Sequence, residues 1–239
     1  MPSFNELGQP IGEPLAGWLP PPTPPRETIE GRHCRLVPLD AALHAECLYD
    51  AIARETDAGS WTYLPYGPFV SFGEYRAWLA GSAGSADPLF FALEDRQRGK
   101  AAGVASYLRI TPASGSIEVG HIYFSPTLRR SVAATEAMFL LMRRAFELGY
   151  RRCEWKCDSL NGPSRAAAER LGFSLEGIFR QATVYKDRNR DTSWYSVLDC
   201  EWPSLGAAIE RWLAPENFKS DGGQLQRLSD LTREVRGCR

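Results

Sequence analysis

Hydrophobic positions along the chain fall into two alternating periods once the first segment is passed. Residues 1–26 show neither period, and Leu19–Arg26 contains five prolines, which withhold amide donors and favour an extended arm over a helix or central strand. This arm reads either as a ligand for a proline-binding module or as a strap laid on its own domain, the latter being the simpler expectation. From Arg32, residues 32–39 alternate with period two, and residues 40–54 carry helical spacing behind Asp40, an N-cap residue type. A second helix is predicted over 73–81 after Ser71. Residues 88–95, 101–110 and 116–124 read as three strands, and their short polar links predict an antiparallel meander.

Residues 134–150 then form a long amphipathic helix ending at Gly149, followed by a strand over 151–158 and an alanine-rich helix over 164–173 closing at Gly172. Two further strands, 173–186 and 191–202, are expected on either side of a charged turn at 186–191. A short helix and a polar helical tail complete the chain, and there is no internal repeat. This order predicts an α/β (α+β) fold: a mixed, mostly antiparallel sheet with helices on both faces. The one parallel β-α-β crossover runs from 116–124 through the long helix to 151–158. The expected organisation is an arm over 1–30, a main domain over 31–202 and a helical extension over 203–239.

Charge narrows the function classes. The 28 basic and 29 acidic residues are interspersed, giving a net charge of −1, so no broad electrostatic footprint for nucleic acid or an anionic membrane is present. No apolar run reaches the roughly 18 residues that cross a bilayer, and the first residues lack the basic start and apolar run of a signal peptide. A cytoplasmic location is therefore expected. Cys34, Cys47, Cys153, Cys157, Cys200 and Cys238 are too sparse for a disulfide scaffold and read as reduced thiols. Cys153 and Cys157 share a strand face, but zinc needs four ligands and no second cluster is visible, so no metal is expected.

The passage richest in chemistry is Phe124–Glu136, which passes from a strand through a basic turn into a helix. Free amides at the helix start, the positive end of the helix dipole, and Arg129 and Arg130 converge on one place that suits a pyrophosphate. Ser131, Ala133 and Ala134 are small enough for a ligand to approach the backbone. Some thirty residues later comes Asn161-Gly-Pro-Ser164, opening a helix that ends in Leu171-Gly172-Phe173.

On these two passages the chain resembles the GNAT N-acetyltransferase superfamily, in the branch similar to ribosomal-protein alanine N-acetyltransferases. The likeness covers roughly residues 30–200. Arg129 and Ala134 match the outer positions of the family's Arg/Gln-x-x-Gly-x-Gly/Ala loop, whereas Val132 replaces its first glycine. The resemblance implies acetyl-CoA as cosubstrate, held at Tyr123, Phe124, Arg129, Arg130, Ser131, Val132, Ala133, Ala134, Thr135, Asn161, Ser164 and Arg165. It also implies that strands 116–124 and 151–158 part at their ends to admit the pantetheine arm. The expected acceptor is a small-molecule amine or a peptide N-terminus, and a homodimer is an assembly left open.

The amine must be neutral to attack a thioester. An α-amine of pKa about 7.7–8.0 is roughly a tenth neutral at pH 7, whereas a lysine-like amine is neutral about a thousandth of the time. Glu118 is the candidate base, because alternation puts it on a face with Gly120 and Ile122, with His121 opposite. Asp158 is the alternative, and each acid equally suits a structural hydrogen-bonding role. The family's tyrosine acid is replaced by Ala168, leaving Ser164, Tyr185 or water to protonate the thiolate. Trp61, Tyr63, Tyr66 and Phe69 either shape the acceptor side or anchor their loop. No serine sits in a nucleophile-elbow motif beside His33, His44 or His121, so a hydrolase is not expected. Val132 and Ala168 motivate a rival reading, a non-catalytic acyl-CoA-binding sensor or interaction module.

Overall fold

A computed structural model describes residues 3–237, so Cys238 lies outside the described residues. The arm begins with a small hairpin of β1 (Ser3–Phe4) and β2 (Pro10–Ile11) and continues as an extended strap. The strap lies on its own domain: Pro21 and Pro24 are buried, the Tyr150 hydroxyl donates to the Pro22 carbonyl at 3.2 Å, and Arg144 pairs with Glu27 at 3.2 Å.

The remaining elements follow the predicted order. They are β3 (Ile29–Glu30), β4 (Cys34–Pro38), α1 (Ala41–Ile52), α2 (Phe72–Ala83), β5 (Leu89–Asp95), β6 (Lys100–Thr111), β7 (Ser116–Phe124), α3 (Val132–Glu147), β8 (Arg152–Asp158), α4 (Gly162–Arg170), β9 (Ser174–Tyr185), β10 (Arg188–Leu198), α5 (Trp202–Leu213) and α6 (Leu228–Gly237). Helix starts are set by local chemistry. Asp40 accepts from the Ala42 and Leu43 amides, Ser71 from Glu74 and Ser131 from Ala134. The chain leaves α3 and α4 through Gly149 (φ +94) and Gly172 (φ +96), a conformation that favours glycine.

The eight-stranded sheet has the order β3-β4-β5-β6-β7-β8-β10-β9, with β7 and β8 parallel and its other pairs antiparallel. Alternation splits the core. Leu48, Tyr75, Leu79, Phe90, Ala92 and Val104 pack under α1 and α2 on one face. Phe91, Tyr107, Ile117, Val119, Cys153 and Trp155 pack with α3 to α6 on the other, joined by Leu205, Ile209 and Leu231 from the C-terminal helices.

Two local expectations are corrected. The β9–β10 turn is only Lys186-Asp187, both at positive φ (49° and 57°), a twist that matches paired strands and lets them run almost to the tip. In β7 the register against β6 shifts between Gly120 and Tyr123, with His121 at φ 50°, so the strand bulges. The bulge breaks the alternation and turns the His121 ring toward Tyr66 and Phe90, on the α1–α2 face that also holds Glu118.

Candidate active site

The site is built where β7 and β8 part. Their parallel ladder pairs Ser116 with Arg152, Ile117 with Cys153 and Glu118 with Glu154, and then stops. Residues 119–124 and 155–158 diverge as the two arms of a fork, leaving main-chain groups on facing edges without each other as partners.

At the mouth of the fork, Leu128 is buried and pins the Phe124–Val132 turn. The Leu128 and Arg129 amides both donate to the Ser125 carbonyl at 3.0 Å, and the Ser131 amide donates to the Leu128 carbonyl at 3.2 Å. The Ser131 hydroxyl caps α3 through the Ala134 amide at 3.0 Å. Among the described residues the amides of Arg130, Val132 and Ala133 meet no protein acceptor. Three N–H groups at the positive end of a helix therefore face outward beside exposed Arg130, a cradle for a diphosphate. Val132 does not spoil it, because its side chain packs against the core and leaves the amide free.

Several expected contacts are otherwise engaged. Arg129 turns away from the cradle: its Nε donates to the Phe124 carbonyl at 2.9 Å, and its Nη2 reaches Glu55 and Ser60 in the loop after α1. Tyr123 likewise donates to Glu55 at 3.1 Å and stacks on Trp61 at 4.8 Å, while Phe124 packs against the core. The Thr135 hydroxyl accepts from Arg170 at 2.9 Å. On α4, Asn161 caps the Ser164 amide at 3.1 Å, Ser164 accepts from the Trp155 indole at 3.0 Å, and Arg165 reaches Tyr195 at 3.3 Å. Ser164 also bonds the buried Cys157 thiol, whose pKa burial raises. These side chains shape the wall behind the fork and hold α4 in place.

The crotch of the fork is ionic. Glu118, 2% exposed, receives two hydrogen bonds of 2.7 Å from Arg109 and an ion pair of 3.3 Å from Lys156. Lys156 also pairs with Glu154 at 2.7 Å and sits 3.6 Å over the Trp194 ring. Arg152 continues the row to Glu154 and Glu176. Burial works against the Glu154 carboxylate, yet hydrogen bonds from Arg152 and Lys156 hold its pKa below the usual value. The expected base is thus clamped by two cations. Asp158 differs. It is equally buried, but its partners are neutral: the Leu160 amide at 2.9 Å and the Tyr185 hydroxyl at 2.8 Å. Burial and the adjoining carboxylate push Tyr185 up to about 12.

On the α1–α2 face the loop between α1 and α2 folds over the β7 bulge. Trp61 is buried against Tyr123 and Phe69, so it anchors the loop, whereas Tyr66 and His121 line a groove of about 510 Å³ with Trp78, Pro88 and Phe90. Tyr63 reaches the Leu160 carbonyl at 3.2 Å. The β9–β10 tip closes the far side, Lys186 donating to the Trp61 carbonyl at 2.6 Å. Burial, with Arg109 and Arg190 nearby, pushes His121 down to about 4, so it is neutral near pH 7.

Sequence reasoning passed over Glu55, Arg109 and Lys156. One signal was present: Arg152, Glu154, Lys156 and Asp158 alternate with apolar Cys153, Trp155 and Cys157, marking a strand with one ionic face.

The profile of the acetyltransferase (GNAT) domain matches residues 33–174. The chain belongs to the GNAT acetyltransferase family. This GNAT chain is 50% identical to a GCN5-related N-acetyltransferase from Brucella melitensis, with a TM-score of 0.90 over 92% of this chain and 100% of that one. It is 46% identical to a probable GNAT-family acetyltransferase from Chromobacterium violaceum, with a TM-score of 0.76 over 82% and 98% of the two chains. RimL, a ribosomal L7/L12 alpha-N-protein acetyltransferase, shares the fold at 22% identity, with a TM-score of 0.61 over 72% and 94%. No curated protein matches. Family membership carries acetyl transfer from acetyl-CoA. No helix among the described residues is long and apolar enough to cross a membrane.

Proposed function

We propose that this GNAT acetyltransferase moves the acetyl group of acetyl-CoA directly to a primary amine within a ternary complex. The observation that carries the reading is the fork, whose ladder ends at Glu118 and Glu154 and whose mouth presents the free amides of Arg130, Val132 and Ala133. The diphosphate takes the cradle, the pantetheine arm lies between the strands, and the amine enters from the groove beside His121. The amine nitrogen bonds to the thioester carbon, the carbon–sulfur bond breaks, and the electron pair leaves on sulfur.

An α-amine needs little activation, since about a tenth of it is neutral at pH 7. The proton it sheds passes to Asp158 by way of the Tyr185 hydroxyl, because this carboxylate has no cation to surrender, whereas Glu118 holds the crotch together. Likeness to an α-N-protein acetyltransferase favours peptide N-termini, with small amines as the other acceptor class.

The test is thiol release from acetyl-CoA by the purified chain with a panel of peptides and small amines, confirmed by product mass. Release with at least one primary amine is expected, and Asp158→Asn lowers kcat. Acetyl-CoA binding without thiol release for any acceptor would refute catalysis and favour a sensor.

A further inference from the structure

Arg190 stands apart from the cations at the crotch of the fork and in the loops that close over it. Arg109 and Lys156 are held by Glu118, Arg152 by Glu154 and Glu176, Arg129 by Glu55, and Lys186 by main-chain carbonyls. Among the described residues no carboxylate pairs with Arg190, and its Nε is buried without an acceptor. The acid next to it, Asp191, is spent on the Gln181 amide and the Asn189 side chain. Asp158 is spent on Leu160 and Tyr185.

Position gives this guanidinium a purpose. β10 pairs Thr192 with Asp158 and Trp194 with Lys156, and Arg190 lies two residues before Thr192, across a register irregularity against β9. It lies 5.6 Å from the centroid of the Tyr185 ring, whose hydroxyl holds Asp158. Burial, then Arg109 and then Arg190 lower the His121 pKa, while at Cys157 burial raises the pKa and the Arg190 charge only opposes it. The guanidinium thus sits beside Tyr185 and, through it, next to Asp158 at the end of the β8 arm of the fork.

A lone guanidinium is a fork of parallel donors that matches a carboxylate, and one unmatched positive charge among neutral rings suits one negative charge. We propose that Arg190 reads the acceptor by binding a carboxylate that the acetylated amine itself carries, so that the preferred substrates are aminocarboxylates. This inference rests on the amine-acceptor reading above. The carboxylate has two sources, the α-carboxylate of a free amino acid or an acidic side chain at the start of a peptide.

Matched pairs decide it: free amino acids against their amides, and peptides opening with Asp or Glu against the same peptides opening with Asn or Gln. The wild-type chain is expected to favour the charged member of one pair type by about tenfold in kcat/KM, and which pair shows it identifies the source. In Arg190→Gln that ratio collapses to near one, and Arg190→Lys retains part of it. Because the guanidinium meets the Tyr185 ring but no carboxylate, both variants should melt close to the wild type. Equal rates for charged and neutral members in the wild type overturn the proposal. So does a variant that slows both members alike, or one that raises the acetyl-CoA KM with selectivity intact.

A second readout is independent of turnover: calorimetric binding of N-acetylated amino acids and their amides. If no amine is acetylated but the wild type binds the charged compound and Arg190→Gln does not, the acetyl-transfer reading fails and the carboxylate site stands. Equal binding of acid and amide by the wild type overturns the site.

Discussion

Arg109 clasps Glu118 with its Nε and Nη2, each 2.7 Å from a different carboxylate oxygen, at the rung where β7 and β8 separate. The carboxylate is buried and Lys156 pairs with the oxygen that the Arg109 Nε also meets, so the two cations fix where the sheet stops being continuous. Removing the negative charge strands Arg109 and leaves Lys156 with Glu154 alone. Glu118→Gln is expected to cost about 2 kcal/mol, below the fully buried range because Arg109 is half exposed. Calorimetry should show Tm lowered by about 4–8 °C, and an unchanged Tm would return Glu118 to the role of a free base.

The two arginines of the cradle turn are predicted to behave differently. Arg130, exposed beside the free amides, should raise the acetyl-CoA KM about tenfold when replaced by alanine, with Tm nearly constant. Arg129→Ala should instead loosen the α1–α2 loop by releasing Glu55, costing about 1 kcal/mol or less for a half-exposed pair. Initial rates at varied acetyl-CoA, beside melting curves, separate the two.

Acid should weaken the fold before the carboxylates titrate. His121 is held at about 4 when folded against an ordinary value of 6.5, so the unfolded chain takes up the proton first. Above pH 6.5 the ring is neutral in both states. Between about 6.5 and 4 the difference lowers stability, by about 3 kcal/mol at the end of the interval. His44, also lowered by burial, adds in the same direction. Urea unfolding at pH 7 and pH 4.5 should show the loss, and His121→Phe should reduce it.

Gly172 closes α4 at φ +96, and an added Cβ would stand 2.3 Å from Leu205 Cδ1 on α5. Gly172→Ala is expected to cost about 2 kcal/mol through backbone strain and displacement of that side chain. Denaturant midpoints of the two proteins check it.

Most of the fold was legible because its signals are local. Asp40, Ser71 and Ser131 cap the helices that follow them, the periods of 88–124 announce the meander, and Ser131 with Arg130 announces the cradle. What escaped depends on residues distant in sequence or on backbone irregularity. No spacing rule links Arg129 to Glu55 across 74 positions, or buried Glu136 to the amides of Arg32, His33 and Cys34. The bulge at His121 follows Gly120, a glycine inside a strand that could have marked it, whereas simple alternation assigned that ring to the wrong face. Glu118 was located correctly on its strand, but its availability was decided by Arg109 and Lys156, which only the assembled sheet brings near.

The fork also acts as a ruler. From the last shared rung at Glu118 to the end of β7 at Phe124 there are six residues, about 20 Å of extended chain, and that length bounds how deep a threaded molecule can sit. Its floor is Glu118, Lys156 and Glu154, a surface from which hydrocarbon gains nothing. With the donor threaded as proposed, short acyl groups would stop above that floor, whereas a fatty tail would have to break the clasp or bend back out. A gauge of this kind measures the donor by length before any side chain inspects it.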